Sequence, residues 1–237
     1  MTEKQLHSQY LQETMTLKIY QPEAFSPLYK YQFCIMQDGN DYYQMGRAAT
    51  WCDELQEQGA ITGTILVGIH YSDKWDRREK YHPQGQQSRA YRKFLALEVV
   101  PYLDDSFPSL YMAHARTLAG DSLGGSQALM TALTYPHTFG KVIMQSPYVD
   151  QSVLDAVKTA KAISSIAVYH SIGTEETAVE TTDGDIKDFL TSNRELHNLL
   201  QTSHVDNTYH ELENGRHTWG YWQHDLRQAF ANILGPI

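Results

Sequence analysis

Only two cysteines, Cys34 and Cys52, occur in 237 residues, and their spacing fits neither a disulfide framework nor a thiolate metal site. Reduced, buried thiols are the expectation. Lysine and arginine number 19 against 28 acidic residues, a formal charge of −9, so the chain lacks the basic surplus that a phosphate backbone or an anionic membrane surface would attract. Neither a nucleic-acid nor a membrane partner is expected. No apolar run approaches bilayer-spanning length, and the opening residues MTEKQLHSQYLQETM carry neither an apolar leader core nor a cleavage pattern. A soluble, cytoplasmic protein is the expectation. Internal repeats, low-complexity tracts and an evident linker are also missing, so residues 1–237 read as one domain, long enough to bury a substantial core.

What the chain does have is a series of short apolar runs rich in β-branched and aromatic residues. Met15–Gln21, Tyr31–Gln37, Thr64–His70, Lys141–Ser146 and Ile166–Ile172 suit strands, several of them buried on both faces. A further strand over Leu6–Tyr10 lies close enough to the first of these to form an antiparallel hairpin, and Asn207–Glu213 reads as the last strand. Between them run helical spacings. Tyr91–Leu103 places Phe94, Leu95, Val99 and Leu103 on related faces, with Pro101 expected to kink or shorten the helix. Such alternation predicts an α/β fold with a mostly parallel sheet and helices on both faces. The longest polar insertion, Tyr71–Ser88, has the composition of a functional loop or lid. Its basic cluster, Asp73–Lys80, reads first as a solvated loop and second as a small-anion site.

The chemistry concentrates in RTLAGDSLGGSQALM, Arg116–Met130. Gly120-Asp121-Ser122-Leu123-Gly124 fits G-x-S-x-G between an apolar strand and a helical stripe, the context in which a serine on a strained turn projects its hydroxyl above a sheet. A hydroxyl is a weak nucleophile at neutral pH and needs a base held by an acid. His137, His170, His197, His204, His210, His217 and His224 all follow Ser122. His217 stands in a polar turn between the last strand and a final amphipathic helix, where a loop can return the imidazole over the serine. His170 falls inside a strand and His197 in a helix, and both read as structural, while His224 reads as a helix-surface residue. The acid should leave the strand ending at Gly173. Glu176 is the leading candidate, with Glu175, Asp183 and Asp185 as alternatives. An oxyanion hole needs two donors: the backbone N–H of Leu123, and that of Asn40 in the Asp38-Gly39-Asn40 turn, a sequence that also suits an ordinary surface turn. Trp219, Trp222, Tyr42, Tyr43, Tyr148 and Trp75 are candidates for an aromatic pocket, though each is equally suited to packing.

Taken together, QDGNDYY, DRREKYHP, AGDSLGGSQALMTALTYPHTFGKVIMQSP, SIGTEE and GRHTWGYW resemble an esterase family within the α/β-hydrolases, which includes ferric enterobactin esterases, feruloyl and acetyl-xylan esterases and S-formylglutathione hydrolases. The resemblance runs from about Leu6 to the C-terminus. It implies an eight-stranded, mostly parallel hydrolase sheet without a separate cap domain, and ester hydrolysis through an acyl-serine with Ser122 as nucleophile, His217 as base and Glu176 as acid. It implies no metal or organic cofactor and a small-molecule ester as substrate: a small acyl, aryl or siderophore-type ester. Arg77 resembles the arginine with which some siderophore-cleaving members hold an anionic substrate, although Lys80 stands where that motif has an acidic residue. Tyr42, Tyr148 and Trp219 complete the expected substrate contacts. A thioesterase or acyltransferase on the same fold is the alternative chemistry, a non-catalytic binding module is the alternative class, and a homodimer is compatible with either.

Overall fold

Strand burial divides the sheet into two regimes. The computed structural model describes residues 1–236, so Ile237, within the expected domain span, lies outside it. β1 (Thr2–Ser8) and β2 (Glu13–Tyr20) form the antiparallel hairpin, with Thr2 opposite Ile19 and Ser8 opposite Glu13. In β2, Met15, Leu17 and Ile19 point inward between half-exposed neighbours, the alternation of a sheet with one wetted face. β3 (Gln32–Met36), β4 (Thr64–Ile69), β5 (Arg116–Asp121), β6 (Lys141–Gln145) and β7 (Ala167–Gly173) are buried almost throughout, as continuous apolar runs covered on both faces should be. A separate two-stranded ribbon joins β8 (Val179–Glu180) and β9 (Ile186–Lys187), and β10 (Asp206–Leu212) closes the far edge of the main sheet.

The order β1-β2-β4-β3-β5-β6-β7-β10 makes an eight-stranded sheet, parallel from β4 to β10. The fold is of the α/β-hydrolase class. From β3 the chain steps to β4 on one side, then returns to place β5 on the other and continues outward. That reversal opens a crevice beyond the carboxyl ends of β3 and β5, where ligands bind in open α/β sheets.

Helices α1 (Gly39–Gln44), α2 (Ala48–Glu57), α3 (Lys74–Tyr81), α4 (Ser88–Phe94), α5 (Val100–Ser106), α6 (Leu123–Thr134), α7 (Gln151–Thr159), α8 (Phe189–Thr202) and α9 (Trp219–Ile233) cover the sheet. One apolar layer gathers Leu17, Ile35, Phe94, Leu129 and Leu196, and a second gathers Cys34, Cys52, Leu55, Leu226 and Phe230 under α2 and α9. Both cysteines are free and buried.

Three local expectations change. The first strand runs Thr2–Ser8 rather than Leu6–Tyr10, because the reversal occupies residues 9–12, with Gln12 at φ 58°. The Tyr91–Leu103 helix is instead part of a continuous span in which a π turn, Leu95–Val99, links α4 to α5. Pro101 follows that turn, and the wider winding suits a residue that lacks an N–H and crowds the preceding turn. The polar insertion is not a solvated loop, since its centre is α3. Asp73 caps that helix by accepting from the N–H groups of Trp75 and Asp76 at 2.8 and 3.0 Å. Lys80, only 1% exposed, turns inward and pairs with Glu13 at 2.7 Å and with Asp76.

Candidate active site

β5 ends at Asp121 and α6 begins at Leu123, so Ser122 makes the turn alone, at φ 50° and ψ −122°. A non-glycine residue in that conformation costs of order 1–3 kcal/mol and persists only where its surroundings fix it. Here the Ser122 N–H donates to the Gln145 carbonyl at 2.9 Å, and its carbonyl accepts from the Tyr148 N–H at 3.0 Å. The flanking glycines are steric requirements. A Cβ on Gly120 would stand 2.2 Å from the carbonyl carbon of Gly124, and one on Gly124 would stand 3.0 Å from Asp38 Oδ2. Without side chains at these positions, α6 approaches β5 and the turn after β3 packs against the serine turn.

Two further loops converge on that point. From the turn before α9, His217 sets Nε2 3.0 Å from Ser122 Oγ. From the loop after β7, Glu176 sets Oε2 2.6 Å from His217 Nδ1. A carboxylate only accepts, so Nδ1–H is the donor to Glu176 and Nε2 is left to accept from the serine hydroxyl. Glu176, only 1% exposed, is held by its other oxygen: Oε1 accepts from Ser146 Oγ at 2.6 Å and from the Gly173 N–H at 2.9 Å. Trp222 Nε1 donates in turn to Ser146 Oγ at 2.9 Å. The rings of Phe189 and Trp222 meet the imidazole edge-on, with centroids at 4.7 and 4.9 Å.

The alternative acids go elsewhere. Glu175 pairs with Arg216, Asp183 with Arg78, and Asp185 stands on the exposed turn between β8 and β9. Ser146, at φ 46° directly after β6, and Phe189, the first residue of α8, are parts of the arrangement that the sequence reading missed. Ser146 had a faint signal in the Gln-Ser-Pro ending of its strand.

A cleft of about 350 Å³ opens over Ser122 and His217, walled by Tyr71, Tyr148, Phe189 and Lys187. Lys187 Nζ lies over the Tyr148 ring and donates to its hydroxyl at 2.5 Å. Of the expected aromatic contacts, Tyr148 and Trp222 line this cleft and Tyr42 does not. Tyr42 is completely buried, donating to Gln145 Oε1 at 3.2 Å. Trp219 packs edge-on against Tyr42 and Trp222 outside the lining. Tyr43 spends its hydroxyl on the Lys18 and Leu66 carbonyls, while Trp75 is exposed on α3. For Tyr42 and Tyr43 the cause is that α1 is helical, so consecutive aromatics point in different directions.

Leu123 is the first residue of α6 and Asn40 the second of α1, so neither N–H has an acceptor within its own helix. The Asn40 carboxamide lies 2.7 Å from His70 Nδ1. Arg77 reaches the cleft already engaged, with Nε and Nη2 donating to the two oxygens of Asp38 at 2.7 and 2.5 Å. Asp121 lies behind the serine, where burial and the Asp38 charge push its carboxyl well above the usual range against the pull of Arg77. Burial and the nearby charges of Asp38 and Asp41 raise Tyr71 to about 12. Among the described residues, no group of three or more His, Cys, Asp or Glu side chains is placed to hold a metal, and no helix is long and apolar enough to cross a membrane.

The sequence model of the family described as "Putative esterase" matches residues 8–233. The chain belongs to that esterase family. The esterase is 47% identical over 232 residues, 98% of this chain and 96% of the other, to a Bacillus subtilis (strain 168) protein described as "Uncharacterized protein YjcH". Its fold is similar to that of a ferulic acid esterase, with a TM-score of 0.79 at 18% identity over 98% of this chain and 97% of that one. It is also similar to the enterobactin esterase FES from Shigella flexneri, with a TM-score of 0.83 at 17% identity. That match covers 98% of the esterase but spans only 58% of the FES chain. The BES protein from Bacillus cereus matches with a TM-score of 0.76 at 19% identity, over 100% of this chain and 95% of that one. Family and fold mark the protein as a hydrolase of esters.

Proposed function

We propose that the protein is a single-domain serine carboxylic-ester hydrolase working through an acyl-serine. The observation that carries this reading is the unbroken hydrogen-bonded chain from Ser122 Oγ through His217 to a buried, doubly anchored Glu176. His217 Nε2 takes the serine proton as Oγ attacks the ester carbonyl carbon, and the Glu176 carboxylate stabilises the imidazolium. The oxygen of the tetrahedral intermediate is received by the backbone N–H groups of Leu123 and Asn40. As the intermediate collapses, the imidazolium returns its proton to the departing alkoxide, and alcohol leaves an ester on Ser122. Water then gives a proton to Nε2 and attacks that ester, and the second collapse frees the carboxylic acid and restores the hydroxyl.

The cleft of about 350 Å³ has room for a small acyl or aryl ester beside the packed Tyr148 and Phe189 rings. Similarity to a ferulic acid esterase and an enterobactin esterase supports aromatic esters as the first class to screen. Fluorophosphonate labelling read by intact mass tests the chemistry. Wild type should gain one adduct, and Ser122→Ala and His217→Ala none. A folded wild type that takes no adduct, or labelling that survives in Ser122→Ala, overturns the assignment.

A further inference from the structure

The two proposed oxyanion donors belong to different segments, the turn between β3 and α1 and the turn between β5 and α6. An oxyanion hole works by preorganisation, so both N–H groups must be held to within about 0.5 Å of the productive geometry before substrate arrives. A single guanidinium reaches both turns. Arg77, projecting from α3, donates to Asp38 through Nε at 2.7 Å and Nη2 at 2.5 Å. The same Nη2 stands 3.4 Å from the Asp121 carbonyl and 3.8 Å from Asp121 Oδ2, directly before the serine. The rings of Tyr71 and Tyr81 flank the guanidinium at 6.0 and 5.6 Å.

The Asp38 carboxylate gives the bridge a second effect. Asp38 sits at φ 58° and ψ 38° immediately before α1, where an aspartate ordinarily accepts from the N–H groups of the first turn. It makes no such bond here: its backbone is left-handed rather than extended, and both of its oxygens face Arg77. The adjacent N–H groups are left for another acceptor. Nearby, Asp121 Oδ1 has no hydrogen-bond partner, so the serine turn contributes its carbonyl and one oxygen to the bridge.

We propose that Arg77 is a positioning residue for the oxyanion hole: it ties the β3–α1 turn to the serine turn and draws the Asp38 carboxylate away from the N–H groups that receive the oxyanion. This rests on the reading of Ser122 as nucleophile. It replaces the expectation that Arg77 holds an anionic substrate, since its charge is already satisfied by protein carboxylates.

The test compares Arg77→Met, Arg77→Lys and Asp38→Asn on 4-nitrophenyl acetate and on its anionic counterpart, 4-nitrophenyl hemisuccinate. Rates are normalised to the fluorophosphonate-titrated serine. For Arg77→Met we expect kcat to fall about 100-fold on both esters, the order lost with one oxyanion donor, while KM moves less than about threefold. Arg77→Lys should recover part of kcat. Asp38→Asn, which keeps the side-chain shape and weakens the bridge, supplies the same comparison if Arg77→Met does not fold. A loss confined to KM of the anionic ester makes Arg77 a substrate contact and overturns the proposal, as does an unchanged kcat per titrated site in either folded variant. Wild-type labelling and turnover report the serine chemistry separately, so failure of the hydrolase reading and failure of the positioning role are distinguishable.

Discussion

Glu176→Gln changes one oxygen to an amide and tests the proposed proton path at its least exposed point. Glu176 Oε1 sits among donors only, the Ser146 hydroxyl and the Gly173 N–H. A glutamine there must place its carbonyl oxygen at that position and turn its NH2 toward His217. Nδ1 then has to accept, which leaves the ring proton on Nε2 and directs it at Ser122 Oγ. In that tautomer the imidazole cannot take the serine proton. The corresponding wrong-tautomer change in a Ser-His-Asp triad costs about 10⁴ in kcat, or about 5.5 kcal/mol of barrier. The same fall is expected for 4-nitrophenyl acetate, with the thermal midpoint nearly unchanged because the amide preserves shape and anchoring. Stopped-flow release of nitrophenolate should lose its burst together with the steady-state rate. A variant within tenfold of wild type would refute both the anchoring argument and the role of Glu176.

Two further outcomes concern stability. His170 is fully buried in β7, its Nε2 2.7 Å from Asn193 Oδ1, and burial pushes it down to about 4. Between pH 6.5 and 4 the unfolded chain therefore gains a proton that the folded chain refuses. Stability should fall by about 3 kcal/mol as pH drops through that window, and urea titrations of His170→Phe should show a flatter profile than wild type. Parallel pH profiles would count against the burial argument. Gly120→Ala sets a Cβ 2.2 Å from the Gly124 backbone. Such a collision displaces α6, and a destabilisation of about 3 kcal/mol or more with loss of serine labelling is expected; a midpoint within 1 °C of wild type would contradict the close approach.

The buried parallel strands were readable because residues such as Ile65–Val67 and Val142–Met144 meet apolar layers on both sides, leaving a continuous apolar run in the sequence. The serine turn was readable because steric demand fixes glycine at set offsets. Glu176 was visible as a candidate but not separable from Glu175, since only three-dimensional loop packing decides which neighbouring carboxylate is buried. α3 was missed because its inward residues, Arg77 and Lys80, are charged, and their burial depends on carboxylates distant in sequence, Asp38 and Glu13. No periodicity reports that. Tyr42 was expected in the pocket as one of several aromatics, but its direction follows from the helical phase of α1, which six residues specify only weakly.

The wide sequence spacing of the Ser122, Glu176 and His217 contacts has a consequence for biogenesis. Ser122 and His217 are separated by 95 positions, and His217 and Glu176 by 41. At a synthesis rate of about 5–20 residues per second, the serine turn leaves the ribosome roughly 5–20 s before its partner imidazole exists. On the proposed mechanism the hydroxyl has no base until β10 pairs with β7 and α9 packs against the sheet. Reactivity would then be the last property the chain acquires, and acylation by a reporter ester would time the closing of these long-range contacts.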